Sequence, residues 1–151
     1  MSRFTEILQV APLPDGRNWV ILKDFGYDVG GENSGETINV PIGFVTDFAS
    51  VPRPLWWFAP KWGRYGNAAV IHDFCYWDQS YDRRKSDDVF KEGMQVLKVG
   101  RIKTWLLYYA VRYFGRMAWN ANKRRKRRGV QKVLEKLPEK VSDWNAMKVL
   151  K

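Results

Sequence analysis

His72 is the only histidine of the 151 residues, and it sits in the run Ile71-His72-Asp73-Phe74-Cys75-Tyr76, which also holds the only cysteine. Imidazole is the one unperturbed side chain that both takes and gives a proton near neutral pH. Acid–base chemistry in this chain therefore passes through His72, unless a metal or a shifted carboxylate does the work. Tyr76, four residues on, shares a helix face with it. Asp87 and Phe90 form the pattern Asp-x-x-Phe in a second amphipathic run. If the two runs are antiparallel helices, Asp87 meets an imidazole nitrogen and sets its tautomer, and Tyr76 donates to the same carboxylate. His72 is then an oriented general base for a water molecule. Asp73, about 100° around the helix, is placed to hold a hard cation that polarises an ester or amide carbonyl. The same residues equally suit a hydrogen-bonded packing element inside a core.

The elements that position these groups are legible as a change of period. Residues 3 to 45 read as strands and turns: Phe4, Ile7 and Leu8 begin a first strand, and Trp19-Val20-Ile21-Leu22 forms a second, bounded by Asp15-Gly16 and Gly26. Gly30-Gly31-Glu32-Asn33-Ser34-Gly35 is a hairpin-type loop, followed by strand pieces Thr37-Pro41 and Phe44-Thr46. An antiparallel N-terminal sheet results. Residues 46 to 66 carry three prolines and three tryptophans, and read as a structured connecting loop.

From Asn67 the period is helical. Asn67 is the expected N-cap of a helix through Asp78. A second helix starts at Arg83 or Ser86 and runs to Val99, with Val89, Phe90, Met94 and Leu97 on its buried face, and Gly100 ends it. A third, Ile102 to Arg127, lines up Ile102, Trp105, Leu106, Tyr109, Tyr113 and Met117 on one face. It closes in the cationic run Lys123 to Arg128. The fold class is α+β: a small antiparallel sheet, an aromatic loop and three helices, in one domain over residues 1–128. Residues 129–151, with a break at Pro138 and a short helix from Ser142, form a peripheral tail.

Composition narrows the class. The formal net charge of +10 and pI near 9.8 favour an anionic partner, either a lipid surface or nucleic acid. Aromatic residues make up 15%, too many for a disordered basic tail. One cysteine excludes an intrachain disulfide and makes Cys75 a small buried apolar residue. The start, Met1 to Glu6, has no secretory pattern, and the longest strongly apolar stretch, Thr104 to Val111, is far shorter than the ~20 residues of a membrane span.

His72-Asp73-Phe74-Cys75-Tyr76 resembles the helix motif His-Asp-x-Cys-Tyr of secreted phospholipase A₂. With Ser86-Asp87-Asp88-Val89-Phe90 it is also similar to the disulfide-free phospholipase A₂ domain of parvovirus capsids. This likeness spans about 20 residues. It implies ester hydrolysis with His72, Asp87 and Tyr76 as catalytic residues and Ca²⁺ at Asp73. Where those enzymes carry a Gly-rich calcium loop, this chain has Pro52-Arg53-Pro54-Leu55-Trp56-Trp57.

A second resemblance covers more of the chain. It rests on Thr46 to Arg53, Gly66 to Asp73, Asp87-x-x-Phe90 and Tyr109 to Gly115, which look like domain-of-unknown-function family 1353 of tailed bacteriophages and prophages. It implies a phage-encoded protein acting in the virion or host cell. The pairing of Thr46-Asp47 and Ser50 with His72-Asp73 predicts that Asp47, Ser50 or Arg53 sits close to His72 or Asp73, making one polar cluster from both segments. Ser50 lacks a nucleophile-elbow sequence, so a serine mechanism is disfavoured. The expected function is a hydrolase acting on an ester at an anionic surface. The rivals are a non-catalytic virion component or host-directed binder that contacts other phage or host proteins, and a nucleic-acid-associated accessory protein.

Overall fold

The computed structural model describes residues 3–48 and 63–147. Ser50 and Arg53 lie outside the described residues. Among the described residues, six short strands precede four helices: β1 (Arg3–Phe4), β2 (Val10–Pro12), β3 (Trp19–Ile21), β4 (Phe25–Asp28), β5 (Thr37–Val40), β6 (Val45–Thr46), α1 (Gly66–Asp78), α2 (Arg83–Val96), α3 (Arg101–Arg127) and α4 (Val141–Ala146). The fold is α+β, with the strand half and helical half in the expected order.

The strands make two three-stranded antiparallel sheets rather than one, in the orders β1-β4-β5 and β2-β3-β6. The expected glycine-rich hairpin joins β4 to β5, with Asp28 opposite Thr37. β5 alternates exposed Thr37 and Asn39 with buried Ile38 and Val40, the pleat of a half-buried strand. β4 escapes sequence reading because Phe25, Gly26, Tyr27 and Asp28 are all buried, so no alternation marks it. Tyr27 donates from its hydroxyl to Glu92 of α2 at 2.8 Å, fastening this sheet to the helices. The first strand stops at Phe4, and Ile7 is exposed.

α1 is the central element. Nearly every residue from Ala68 to Trp77 is buried, so it shows little amphipathic stripe and presents all its sides to neighbours. Asn67 does not cap it; Tyr65 occupies the N-cap position, and its side chain makes no capping bond. α2 is capped by Asp82, which accepts from Lys85 N at 2.7 Å. It ends at Val96, and Gly100 instead begins α3 as its N-cap residue. Gly93 of α2 crosses Ala68 of α1 so closely that an added Cβ would meet the Ala68 Cβ at 3.0 Å.

The segment after α3 belongs to the fold and is not a peripheral tail. Val45 N donates to Lys132 O at 2.8 Å, Leu134 N donates to Gly43 O at 2.9 Å, and Phe44 pairs with Val133. Gly43 has φ +88, and a side chain there would collide with the Leu134 carbonyl, so only glycine admits this strand-like docking. Leu134, with Leu137, Trp144 and Met147, then covers Leu13, Val20 and Val45 as a second small core.

The largest surprise is α3. Its buried side is Thr104, Leu107, Ala110, Val111, Gly115 and Asn122, whereas the large residues Ile102, Trp105, Leu106, Tyr109, Tyr113, Phe114 and Met117 are exposed. The apolar face read from the periodicity exists, but it points to solvent.

Candidate functional site

His72 is completely buried, at 0% exposure, where α1 meets α2 and α3. Its ring stacks on Phe90 (centroids 4.7 Å, 30° between planes) and leans on Tyr76 at 4.2 Å. Those contacts follow from spacing: Tyr76 is one helical turn on, and Phe90 is one turn beyond Asp87 on α2. Nε2 of His72 lies 2.8 Å from Oδ1 of Asp87, and the Tyr76 hydroxyl donates to the same oxygen at 2.6 Å. The three residues read as a dyad with a supporting phenol are thus one hydrogen-bonded group.

Asp87 is the hub, itself at 0% exposure. Its second oxygen, Oδ2, accepts from Nη1 of Arg112 on α3 at 2.7 Å and from Nη1 of Arg83 at 3.3 Å. Arg83 Nη1 also donates to the carbonyls of Val111 and Arg112, so one guanidinium clamps α2 to α3. Burial pushes the Asp87 carboxyl up, but the bonds from His72, Tyr76 and Arg112 outweigh it and leave it below its ordinary 3.8. Asp87 is therefore an ionised, accept-only group at neutral pH. Burial pushes the Tyr76 phenol up, and the bond to Asp87 adds to it, so Tyr76 remains a protonated donor.

This fixes the imidazole. An accept-only carboxylate at Nε2 requires a proton there, so the lone pair that a neutral imidazole would offer is the one on Nδ1. Nδ1 is buried and has no hydrogen-bond partner among the described residues. A buried polar atom left unpaired costs about 1–3 kcal/mol, so this one calls for a reason.

Gly115 is the silent member of the group. A Cβ at this position of α3 would collide with the Tyr76 hydroxyl, so the missing side chain leaves room for the phenol to reach Asp87. A glycine inside a strong helical pattern was the available signal for such a close approach. Arg83 was also within reach of sequence reasoning, being four residues before Asp87 on one helix. Arg112 was not, because only tertiary packing brings α3 to it.

Asp73 belongs to a different cluster on another side of α1. The buried Thr46 hydroxyl donates to its Oδ2 at 2.6 Å, and Nζ of Lys132 lies 3.8 Å from Oδ1. Lys132 is buried, its ammonium lying 5.5 Å from the centre of the Phe44 ring and 5.7 Å from that of Trp77. Thr46 Oγ1 also accepts from Phe48 N, which supports Phe48 in the left-handed region at φ 52. Among the described residues, then, His72 and Asp73 belong to separate polar groups. Thr46 makes the hydrogen bond to Asp73, and Asp47 lies half-buried beside it.

A calcium ion asks for six to eight oxygen ligands. Among the described residues Asp73 meets one hydroxyl and one ammonium, and no group of three His, Cys, Asp or Glu side chains comes together. Among the described residues the cation facing Asp73 is a lysine from the C-terminal segment. Cys75 is buried, and its thiol is pushed up to about 12 by burial and by Asp78, so it is not a nucleophile at neutral pH.

The family model described as "Protein of unknown function (DUF1353)" matches residues 19–111, which includes β3 to β6, α1, α2 and Arg101 to Val111 of α3. The chain belongs to this family. No curated protein and no solved structure matches it. The family match thus spans His72, Tyr76, Arg83 and Asp87, whereas Arg112, Gly115 and Lys132 lie beyond it.

Proposed function

We propose that this DUF1353 protein is a phage-encoded ester hydrolase in which Nδ1 of His72 is the general base. The observation that carries the reading is the buried Nδ1, without a hydrogen-bond partner among the described residues, on a ring whose other nitrogen is held by Asp87. In this scheme Nδ1 takes a proton from water as the water oxygen bonds to the ester carbonyl carbon. Asp87 stabilises the imidazolium that forms, and Tyr76 and Arg112 hold Asp87 in place. The tetrahedral intermediate then collapses, the carbon–oxygen bond to the alcohol breaks, and the imidazolium returns the proton to the departing alkoxide. Acid and alcohol are the products. No step uses a metal. A phospholipid is the ester that the local His-Asp-x-Cys-Tyr likeness suggests.

A second reading is favoured by a specific fact: His72 and Asp87 are both at 0% exposure. On it, the group is a polar clamp joining three helices of a non-catalytic virion component or host-directed binder. The two readings separate in one experiment. Purified wild type, His72→Gln and Asp87→Asn are assayed on phospholipid vesicles and soluble esters, with calcium and with a chelator. Hydrolysis by wild type that is indifferent to chelation and falls by about 10²- to 10⁴-fold in His72→Gln is the expected result. No ester turnover by the wild type in any condition overturns it and leaves the clamp.

A further inference from the structure

The outer face of α3 inverts the usual distribution of surface residues. Ile102 is 80% exposed, Tyr113 79% and Met117 77%, and Trp105, Leu106, Tyr109 and Phe114 accompany them. Spaced at 102, 106, 109, 113 and 117, they form one stripe along the helix. Exposed apolar surface of this extent marks an interaction site.

Charge identifies the occupant. α3 carries nine lysines and arginines in 27 residues and not one aspartate or glutamate. Arg116 falls within the stripe, and Arg124 and Arg127 continue the same line past Met117. Beside the stripe an open groove of about 540 Å³ is lined by Arg84, Lys91, Trp105, Tyr108, Arg112 and Tyr113. There the Lys91 ammonium sits 4.2 Å from the Trp105 ring centre, and Trp105 stacks on Tyr109 at 5.4 Å.

We propose that the outer face of α3 is a docking surface for an anionic phospholipid bilayer. The helix lies in the interfacial plane, its apolar stripe entering the headgroup boundary, with Arg84, Lys91, Arg116 and the Arg124–Arg127 end against lipid phosphates. This is the chemistry of a helix that lies on a membrane without crossing it: a large apolar face, basic flanks and aromatic rings at the boundary. No described helix is long and apolar enough to span a bilayer. Nucleic acid is the weaker occupant. Bases reward planar rings and cations but gain little from exposed Ile102, Leu106 and Met117. The surface stands independently of hydrolysis, although Arg112, at the groove, reaches from it to Asp87.

The test uses the full-length protein and sedimentation with vesicles of phosphatidylcholine, alone or mixed with phosphatidylglycerol. Four proteins are compared: wild type, Tyr113→Ser with Met117→Ser, Arg116→Gln with Arg124→Gln, and His72→Gln. Wild type should bind the anionic vesicles at least about tenfold more tightly than the neutral ones. The serine pair should lose most of that affinity while keeping the wild-type melting temperature. The glutamine pair should weaken binding and flatten its salt dependence. Unchanged binding in His72→Gln shows that docking is separate from the dyad, so failed hydrolysis with intact docking removes only the hydrolase. The proposal is overturned by equal affinity for neutral vesicles or by binding that survives the serine pair. It is likewise overturned by displacement from vesicles by a single-stranded oligonucleotide, or by a wild-type dimer that the serine pair dissolves without any vesicle binding.

Discussion

The two sides of α3 obey opposite rules. Its inner side delivers Arg112 and the bare backbone of Gly115 to a buried cluster of charge around Asp87. Its outer side holds Ile102, Tyr113 and Met117 in solvent. Hydrophobicity alone would reverse this arrangement. The inside is tolerable because both Asp87 oxygens are occupied, and a fully paired buried charge is far less costly than a bare one. The outside gains nothing from folding, and its apolar area is free to contribute to association. On the proposed reading, α3 is held by the protein on one side and docks on a bilayer with the other.

The largest effect should come from Asp87→Asn. It removes the charge and puts an amide nitrogen in place of one oxygen, so either Arg83 and Arg112 or His72 and Tyr76 lose their acceptor. A loss of about 3–5 kcal/mol is expected, which a thermal melt reads as a fall of roughly 10 °C or more. Acid should approach the same state in the wild type. Because the folded carboxyl lies below its ordinary 3.8, its contribution is complete above that value and fades as pH falls through the lower folded one. Below about pH 4 the stability curve of Asp87→Asn should therefore be flatter than that of the wild type. Parallel curves would mean that the hub carries no net electrostatic stabilisation.

Gly115→Ala should cost about 1–3 kcal/mol by driving a methyl into the Tyr76 hydroxyl. Tyr76→Phe, which deletes that hydroxyl, should absorb much of the cost. Additive losses in the double mutant, measured by denaturant titration, would break the link between the helix glycine and the hub.

On the other side of α1, Lys132→Met should cost about 1–2 kcal/mol, because Asp73 keeps Thr46 but loses its cation. Added calcium should leave the wild-type melting temperature where it is. A calcium-dependent rise abolished by Asp73→Asn would restore a metal site there.

The smallest stability change belongs to the outer face. Tyr113→Ser should move stability by no more than about 0.5 kcal/mol, despite replacing a large aromatic ring. A larger loss would show that the stripe packs against the protein itself, and would erase the contrast between the two sides.

The sequence by itself determined the α+β order, the glycine hairpin, the three long helices and the His72–Asp87–Tyr76 group. Each rests on short-range regularities: a period near two or near 3.6, turn residues, and side chains one helical turn apart that must share a face. Only tertiary structure decided the rest. Periodicity marks a helix's apolar side without saying whether the interior or a partner receives it, so the stripe from Ile102 to Met117 was visible and its direction was not. β4 was hidden because a strand buried on both faces loses its alternation. Arg112 and Lys132 reach Asp87 and Asp73 from 25 and 59 positions away. These two cations were therefore set by how α3 and the segment after it fold back on α1, since nothing local ties a charge to a partner so distant along the chain.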